Sequence, residues 1–198
     1  MKILVVGSGA REHAIVNALR RDPQVQEVHA APGNPGIAQV ATCHDVPQGI
    51  EDGSAVAKLA TRLAVDLVVI GPEAPLVGGV ADDVRAAGIA CFGPSARAAR
   101  LEGSKAFAKE VMAAADVPTA QAHVCTDLEQ VTDALDAFGP PYVVKDDGLA
   151  AGKGVVVTDN RAQALAHAAQ CLGRKVPPGA PAPQIVIEEF LDGPEISL

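Results

Sequence analysis

The chain has 198 residues and a formal net charge of −8 at pH 7, and 48% of its residues are hydrophobic. This length and composition allow a buried core in one or two domains, while the negative charge argues against a nucleic acid or an anionic membrane as partner. No run approaches the roughly twenty apolar residues of a membrane-spanning helix, and one Tyr, four Phe and no Trp provide few rings for stacking on bases.

The N-terminus and the cysteines indicate a cytoplasmic protein. Lys2 is followed by a short apolar run and Gly7, which predicts a strand and not a signal peptide. No CxxC pair and no zinc-type His spacing is present, so we predict no metal site. We expect free thiols at Cys43, Cys91, Cys125 and Cys171.

The first motif is a strand, a glycine turn and a helix. Residues Lys2–Gly7 predict the strand and His13–Arg20 the helix, which is the usual start of a doubly wound α/β domain. A dinucleotide site would require a third glycine at position 12 and an acid at the end of the second strand, where this chain has Glu12 and Ala30-Ala31. NAD binding is therefore rejected.

Two interpretations of this turn are open. In the first, Arg11, Glu12 and His13 are solvated residues of the first helical turn, and Glu12 is favourable at the helix dipole by about 0.5 kcal/mol. In the second, the segment GSGAREH binds a substrate through Gly9, Arg11 and Glu12.

Two further turns are predicted at strand ends of the same domain. The strand Val25–Ala31 is followed by the turn PGNPG, which contains Asn34 and Gly36. The strand Asp66–Gly71 is followed by Glu73, which lies between two prolines. Such turns can be purely structural, but open α/β sheets also bind ligands at strand ends. We expect the three turns to line one crevice. The other elements predicted here are the helices Ser54–Leu63 and Val80–Ala87 and the strand Ile89–Phe92.

An Ala-rich region, Ser95–Ala115, is interrupted by Gly103 and predicts two helices that connect two lobes. Lys105 falls in the first turn of the second helix, where a cation opposes the helix dipole. We therefore expect a compensating anion beside Lys105.

The second lobe contains a glycine-rich loop between two short strands, within the sequence VVKDDGLAAGKGVVV at residues 143–157. The loop has three glycines and two flanking lysines: Gly148, Gly152, Gly154, Lys145 and Lys153. Its backbone N–H groups can approach an anion closely, which favours a polyphosphate ligand over an ordinary glycine-rich hairpin. It is not a Walker A loop, because three residues separate the first two glycines and no Ser or Thr follows Lys153.

Further strands and helices surround this loop. Glu188 and Glu189 occupy adjacent positions of the last predicted strand, so at most one of them points into a ligand cleft and the other is solvated. The predicted elements are the strands Gln121–Cys125, Tyr142–Lys145, Gly154–Thr158 and Gln184–Phe190 and the helices Asp127–Phe138 and Arg161–Leu172.

The sequences of these motifs resemble those of the glycinamide ribonucleotide synthetase family of the ATP-grasp superfamily. Seven segments carry the resemblance in order: GREH-like AREH, APGNPG, GPEAPL, FGPS, LEGSKAF, KDDGLAAGKG and EEFLDGPE. It implies an α/β fold, with a Rossmann-like pre-ATP-grasp domain at residues 1–94, a helical connector at 95–120, the small α+β lobe of an ATP-grasp domain at 121–191, and the start of a large lobe at 192–198.

The resemblance also implies a reaction and its residues. ATP phosphorylates glycine, and the amine of 5-phosphoribosylamine attacks the acyl phosphate. Lys105 and Lys145 would be catalytic. Nucleotide binding is implied for Lys105, Lys145, Gly148, Gly152, Lys153, Gly154, Glu188, Glu189, Phe190, Leu191 and Glu195. Adenine would be read by the backbone at residues 189–191 and ribose by Glu195. Substrate binding is implied for Gly9, Arg11, Glu12, Asn34, Gly36 and Glu73.

Three features depart from the family pattern. Ala10 and Asp146 stand where the family usually has Gly and Ala, and strand alternation should turn Asp146 away from the face that carries Lys145 and Asp147. The family continues for about as long again, so we expect a catalytically incomplete N-terminal portion, with the ligands of Mg²⁺ or Mn²⁺ beyond residue 198. We expect a monomer.

Two other functions are weighed against the ligase. A sister ATP-grasp enzyme, such as a biotin-carboxylase-like or carboxyaminoimidazole-forming one, would share the lobes and Lys145 but not all seven segments together. A non-catalytic nucleotide-sensing module would use the same binding residues without turnover.

Overall fold

A computed structural model describes residues 1–149, 154–176, 182–194 and 196. The chain divides into two compact units, Met1–Arg100 and Leu101–Leu198. This division lies inside the predicted connector, and the domain limits themselves stay a prediction. No helix in the described part of the chain is long and apolar enough to cross a membrane.

The first unit is a five-stranded parallel sheet with helices on both faces. Its strand order is β3-β2-β1-β4-β5. The strands are β1 (Lys2–Gly7), β2 (Glu27–Pro32), β3 (Thr42–Cys43), β4 (Leu67–Ile70) and β5 (Ala90–Phe92). The helices are α1 (Ala10–Leu19), α2 (Gly53–Leu63), α3 (Glu73–Val77) and α4 (Val80–Ala86), with a short 3-10 helix at Ile37–Gln39.

Strand β1 is the centre of this unit, because its side chains alternate between two cores. Leu4 and Val6 pack with α2 and α4 on one face, whereas Ile3 and Val5 pack with Val16 of α1 on the other. The chain leaves β1 toward β2 and β3, then returns to β4 and β5 on the opposite side. The carboxyl ends of β1, β2 and β4 therefore meet at the point where the strand order reverses, which is where such sheets bind ligands.

The second unit contains a four-stranded antiparallel sheet in the order β6-β9-β7-β8. Its strands are β6 (Ala122–Cys125), β7 (Tyr142–Asp146), β8 (Val155–Thr158) and β9 (Ile185–Glu188). The helices are α5 (Ala96–Gly103), which crosses the division between the units, α6 (Lys105–Ala114), α7 (Leu128–Phe138) and α8 (Arg161–Leu172).

Alternation gives this second sheet two different faces. Val144, Ile185 and Ile187 pack against α7 and α8 in a closed core. The register pairs Lys145 with Val155 on one side and Val186 on the other, which places these three side chains on the face opposite that core. Val155 and Val157 remain exposed on this face, which we call the open face, whereas Val186 is buried there.

The predicted α/β fold class is confirmed, with a few local differences. The helix predicted from His13 begins at Ala10, because Gly9 is already extended and its N–H donates to the carboxylate of Glu12, 2.6 Å away. The short elements β3 and α3 were not predicted. A two-residue strand has no readable alternation, and the prolines around Glu73 suggested a turn.

Candidate functional site

Glu12 is buried beneath the first glycine turn, so the interpretation of a solvated Glu12 is wrong. The residue is 4% exposed. A Cβ on Gly7 would lie 2.6 Å from Glu12 Cγ, and one on Gly71 would overlap Glu12 Oε1. The glycines at the ends of β1 and β4 thus make room for this carboxylate, which holds Gly9 through its N–H. Glu12 shapes the turn from inside the protein.

Arg11 and Glu73 link the first turn to the third. Arg11 Nη2 lies 2.8 Å from Glu73 Oε1, and both side chains are exposed. The hydrogen bond from Arg11 lowers the pKa of Glu73, with a smaller contribution from Glu73's own backbone N–H at the start of α3. The pair offers a guanidinium and a carboxylate side by side at the sheet edge.

The second turn is attached to the first through Asn34. Asn34 Nδ2 donates to Ser8 O at 2.8 Å, and its Oδ1 accepts from Ile37 N at 2.9 Å. Gly36 approaches the ring of His13, since a Cβ there would lie 2.6 Å from Cε1. The first turn therefore contacts both the second and the third, and the crevice expected between the three turns stays a prediction.

In the second unit, Glu188 lies between two lysines on the open face. Its Oε2 accepts from Lys145 Nζ at 2.8 Å and lies 3.4 Å from Lys109 Nζ. Glu188 is 6% exposed, so the carboxylate depends on these cations for its compensation. Lys109 also donates to Thr119 Oγ1 at 2.8 Å and Ala120 O at 2.7 Å. Sequence reasoning missed Lys109, although it follows Lys105 by one helical turn on the same face of α6.

Lys105 is held by the backbone at the start of the glycine loop. Its Nζ donates to Asp146 O at 2.8 Å and Gly148 O at 2.9 Å. Asp147 accepts from Ala106 N at 3.2 Å, so a protein carboxylate lies at the N-terminus of α6. The anion expected beside Lys105 itself stays a prediction. Asp147 also accepts from Ser104 Oγ at 3.0 Å and Gln184 Nε2 at 2.6 Å, and sequence reasoning did not select it.

The glycine loop is described at its two ends. Gly148 has φ +115°, a conformation that glycine adopts readily, and Gly154 O accepts from Asp146 N at 2.6 Å. The predicted nucleotide-binding residues Gly152, Lys153 and Glu195 lie outside the described residues.

Asp146 points to the helical side of β7, where it pairs with Arg174. Its neighbours Lys145 and Asp147 make their contacts on the other side, with Glu188 and with Ser104. The prediction that alternation turns Asp146 away from them is therefore confirmed.

The segment after β9, residues 189–191, combines a paired backbone at Glu189 with two exposed apolar side chains. The N–H of Glu189 donates to Gln121 O at 3.0 Å, and Glu189 Oε1 accepts from Gln121 N at 2.8 Å. Strand pairing thus uses the Glu189 amide donor in this structure, and Glu189 is only half-exposed. The adenine contact expected from this amide stays a prediction. Phe190 and Leu191 are exposed.

No group of three His, Cys, Asp or Glu side chains in the described part of the chain lies close enough together to hold a metal ion.

Two family models match the chain end to end. Residues 1–102 match "Phosphoribosylglycinamide synthetase, N domain", and residues 103–198 match "Phosphoribosylglycinamide synthetase, ATP-grasp (A) domain". The phosphoribosylamine–glycine ligase of Streptomyces coelicolor is 62% identical over 198 residues, which cover 100% of this chain and 44% of that relative. The chain thus spans less than half the length of this relative.

Solved structures show the same similarity. The phosphoribosylamine–glycine ligase of Thermotoga maritima superposes with a TM-score of 0.76 at 30% identity, over 98% of this chain and 45% of that one. The biotin carboxylase domain of the Hydrogenobacter thermophilus 2-oxoglutarate carboxylase, solved with MgADP, ADP and bicarbonate, has a TM-score of 0.74 at 19% identity and covers 96% of this chain and 44% of that one. The latter shows a shared fold alone.

Proposed function

Because the chain belongs to the phosphoribosylglycinamide synthetase family, we propose that it forms the N-terminal domain and the smaller ATP-grasp lobe of a ligase that joins glycine to 5-phosphoribosylamine. ATP transfers its γ-phosphoryl group to the glycine carboxylate, giving glycyl phosphate and ADP. The amine of phosphoribosylamine then attacks the acyl carbon, forms the amide bond and releases phosphate. The observation that carries this proposal is the set of lysines on the open face beside the glycine loop.

Lys105, Lys109 and Lys145 would bind the ATP phosphates. Lys145 and Lys109 share one carboxylate, Glu188, and Lys105 donates to two backbone carbonyls, so the cluster carries an excess of positive charge. Each charge-assisted hydrogen bond to phosphate contributes on the order of 1.5–3 kcal/mol. Because the lysines are held by the chain before ATP arrives, they need little rearrangement as charge shifts in the transition state. Lys145 and Lys105 are the residues we assign to catalysis.

The nucleoside would lie along the same face. Val155 and Val157 offer exposed apolar surface to the adenine ring, and Phe190 and Leu191 extend it. The carbonyl of Glu189 and the backbone of residues 190 and 191 remain as candidates for the adenine edge. The assignments of Gly152, Lys153 and Glu195 to ATP stay predictions.

The linked turns of the first unit would bind phosphoribosylamine. The exposed guanidinium of Arg11 suits the 5-phosphate, and Glu73 suits the ribose hydroxyls or the amine. Asn34 and Gly36 bring the second turn against the first, and Gly9 would present backbone. Glu12 acts indirectly, because it holds the turn that these groups share. A divalent metal, a cytoplasmic location and a monomeric state also stay predictions.

A chimera tests the ligase function directly. This chain replaces the matched part of the Streptomyces coelicolor relative, and ADP release is followed with ATP, Mg²⁺, glycine and phosphoribosylamine generated in situ. We expect release that requires both glycine and phosphoribosylamine. Lys145→Ala should abolish it, whereas Lys175→Ala, the same change at an exposed lysine of the second unit, should not.

Other outcomes would overturn the proposal. ADP release with bicarbonate or another acid in place of glycine would identify a sister ATP-grasp enzyme. Nucleotide binding without release under any substrate pair, in a folded chimera, would favour the nucleotide-sensing module.

A further inference from the structure

Asp147 is an unexpected residue on the side of β7 that is proposed to bind the ATP phosphates. It follows β7 directly, two residues after Lys145. A carboxylate at this position repels the phosphates that Lys105, Lys109 and Lys145 attract, so its charge opposes the binding proposed above. The reaction gives this acid no task of its own, and its contacts indicate what it does instead.

The carboxylate of Asp147 accepts hydrogen bonds from two other segments of the second unit. Oδ1 accepts from Ala106 N at 3.2 Å, and Oδ2 accepts from Ser104 Oγ at 3.0 Å and from Gln184 Nε2 at 2.6 Å. The backbone N–H of Asp147 also donates to Gln184 O at 3.2 Å. One residue thus joins the end of β7 to the start of α6 and to the residue that precedes β9.

These contacts fix the first turn of α6, to which Lys105 belongs. The N–H groups at the start of a helix have no partner within the helix, and they favour an anion. Here Asp147 accepts from Ala106 N, while Ser104 is the N-cap and its Oγ accepts from Phe107 N at 3.1 Å. Since the Ser104 hydroxyl also donates to Asp147, the start of the helix is attached to the end of β7 through two residues.

Lys105 makes the same connection from the opposite direction. Its Nζ donates to Asp146 O at 2.8 Å and to Gly148 O at 2.9 Å, which are the carbonyls on either side of Asp147. An ammonium group has three N–H donors, so among the described residues these two bonds leave one donor for a phosphate. The side chain of Asp147 therefore holds the helical turn that carries Lys105, and the backbone around Asp147 holds the ammonium group.

We propose that Asp147 is a positioning residue, which holds Lys105 where its remaining N–H donates to a phosphate of ATP. This inference rests on the proposed function. Asp147 contacts no substrate in this role and acts through Lys105. A lysine that is held in advance loses less conformational freedom when the phosphate binds. The helix N-terminus and the two side-chain donors compensate the carboxylate, which reduces its repulsion of the phosphates.

A double-mutant cycle tests this role, because a residue that acts through Lys105 has no effect once Lys105 is removed. The chimera with the Streptomyces coelicolor relative is titrated with ATP and Mg²⁺ in the absence of glycine, and the dissociation constant is measured by calorimetry. We expect Asp147→Ala and Lys105→Ala each to weaken ATP binding about tenfold. The double variant should bind ATP as Lys105→Ala alone does, within about twofold.

Two more variants separate this role from a general loss of structure. Gln184→Ala removes the bond of 2.6 Å to Asp147 but keeps the N-cap of α6, so it should weaken ATP binding by less, and only while Lys105 is present. If Asp147→Ala does not fold, the cycle of Gln184→Ala with Lys105→Ala decides the question in the same way. Asp133→Ala, the same change at an exposed aspartate of α7, should bind ATP normally.

Turnover of the chimera gives a second readout. Because phosphoribosylamine is proposed to bind in the first unit, its KM should be the same in Asp147→Ala as in the unchanged chimera, whereas a general loss of structure would change both substrates.

Four results would overturn the proposal. Losses that multiply in the double variant would show that Asp147 affects ATP binding without Lys105. Tighter ATP binding by folded Asp147→Ala would show that this carboxylate only repels the phosphates, and unchanged binding would show that Lys105 is held without it. An unchanged chimera that does not bind ATP would refute the proposed function itself, and the role of Asp147 with it.

Discussion

Replacing Glu188 by glutamine tests whether the buried carboxylate stabilises the second unit through its two lysines. Oε2 lies 2.8 Å from Lys145 Nζ and 3.4 Å from Lys109 Nζ. At an effective dielectric constant near 20, these attractions amount to about 6 and about 5 kcal/mol, and desolvation of the three ions offsets most of the sum. Glutamine preserves the shape and one acceptor oxygen but removes the charge.

The net loss follows from how well the lysines are rehydrated. The Lys145 and Lys109 side chains are 27% and 14% exposed, and Lys109 keeps its bonds to Thr119 and Ala120. We therefore expect the free energy of unfolding of this unit to fall by about 2 kcal/mol, below the 3–5 kcal/mol typical of a fully buried pair that loses one partner.

The chain provides its own fluorescent probe for this measurement. Tyr142 is its one tyrosine, there is no tryptophan, and Tyr142 packs against the core of the second unit. Urea unfolding followed by tyrosine fluorescence thus reports on this unit, and the midpoint should fall by about 1 M for a slope near 2 kcal/mol per M.

The neighbouring carboxylate is the control. Glu189→Gln keeps an acceptor for Gln121 N, so its midpoint should change by less than the equivalent of about 0.5 kcal/mol. If Glu188→Gln unfolds at the same urea concentration as the unchanged chain, the argument that Glu188 is held in place by two lysines is refuted.

Three further outcomes are expected. Gly71→Ala should lower the melting temperature of the first unit, measured by circular dichroism, because the added Cβ overlaps Glu12. In a Glu12→Ala background the same change should lower the melting temperature by less, and strictly additive losses of stability would contradict the overlap. Arg11→Gln should raise the depressed pKa of Glu73, measured in a ¹³C NMR titration, and an unchanged pKa would exclude the Arg11–Glu73 pair in solution. The small stabilisation from this pair is present at neutral pH and disappears as the pH falls through the folded-state pKa of Glu73. Burial raises the pKa of Cys125 to about 11, so iodoacetamide at about pH 8 should label it, by mass spectrometry, only after urea unfolding; rapid labelling of the folded chain would show that the thiol is accessible.

Much of the fold could be predicted because its signals are local. Apolar runs ending in glycine turns located β1 and β4, and alternation correctly separated Asp146 from Lys145 and Asp147. The strand-end rule brought the three turns of the first unit to one edge. These features depend on side-chain period and turn chemistry within a few residues, which the sequence contains directly.

Only the tertiary structure decided how the charges are paired. Glu188 meets Lys145 across 43 residues, and Asp146 meets Arg174 across 28. The sequence left Glu12 open as either a solvated first-turn acid or a substrate-binding residue, and the structure shows it enclosed by the ends of β1 and β4. Pairing of this kind depends on strand register and helix docking, which bring residues together that are distant in the chain. The sequence therefore determined which charged groups the protein carries. The packing determined which of these charges are compensated within the chain and which are left for a ligand.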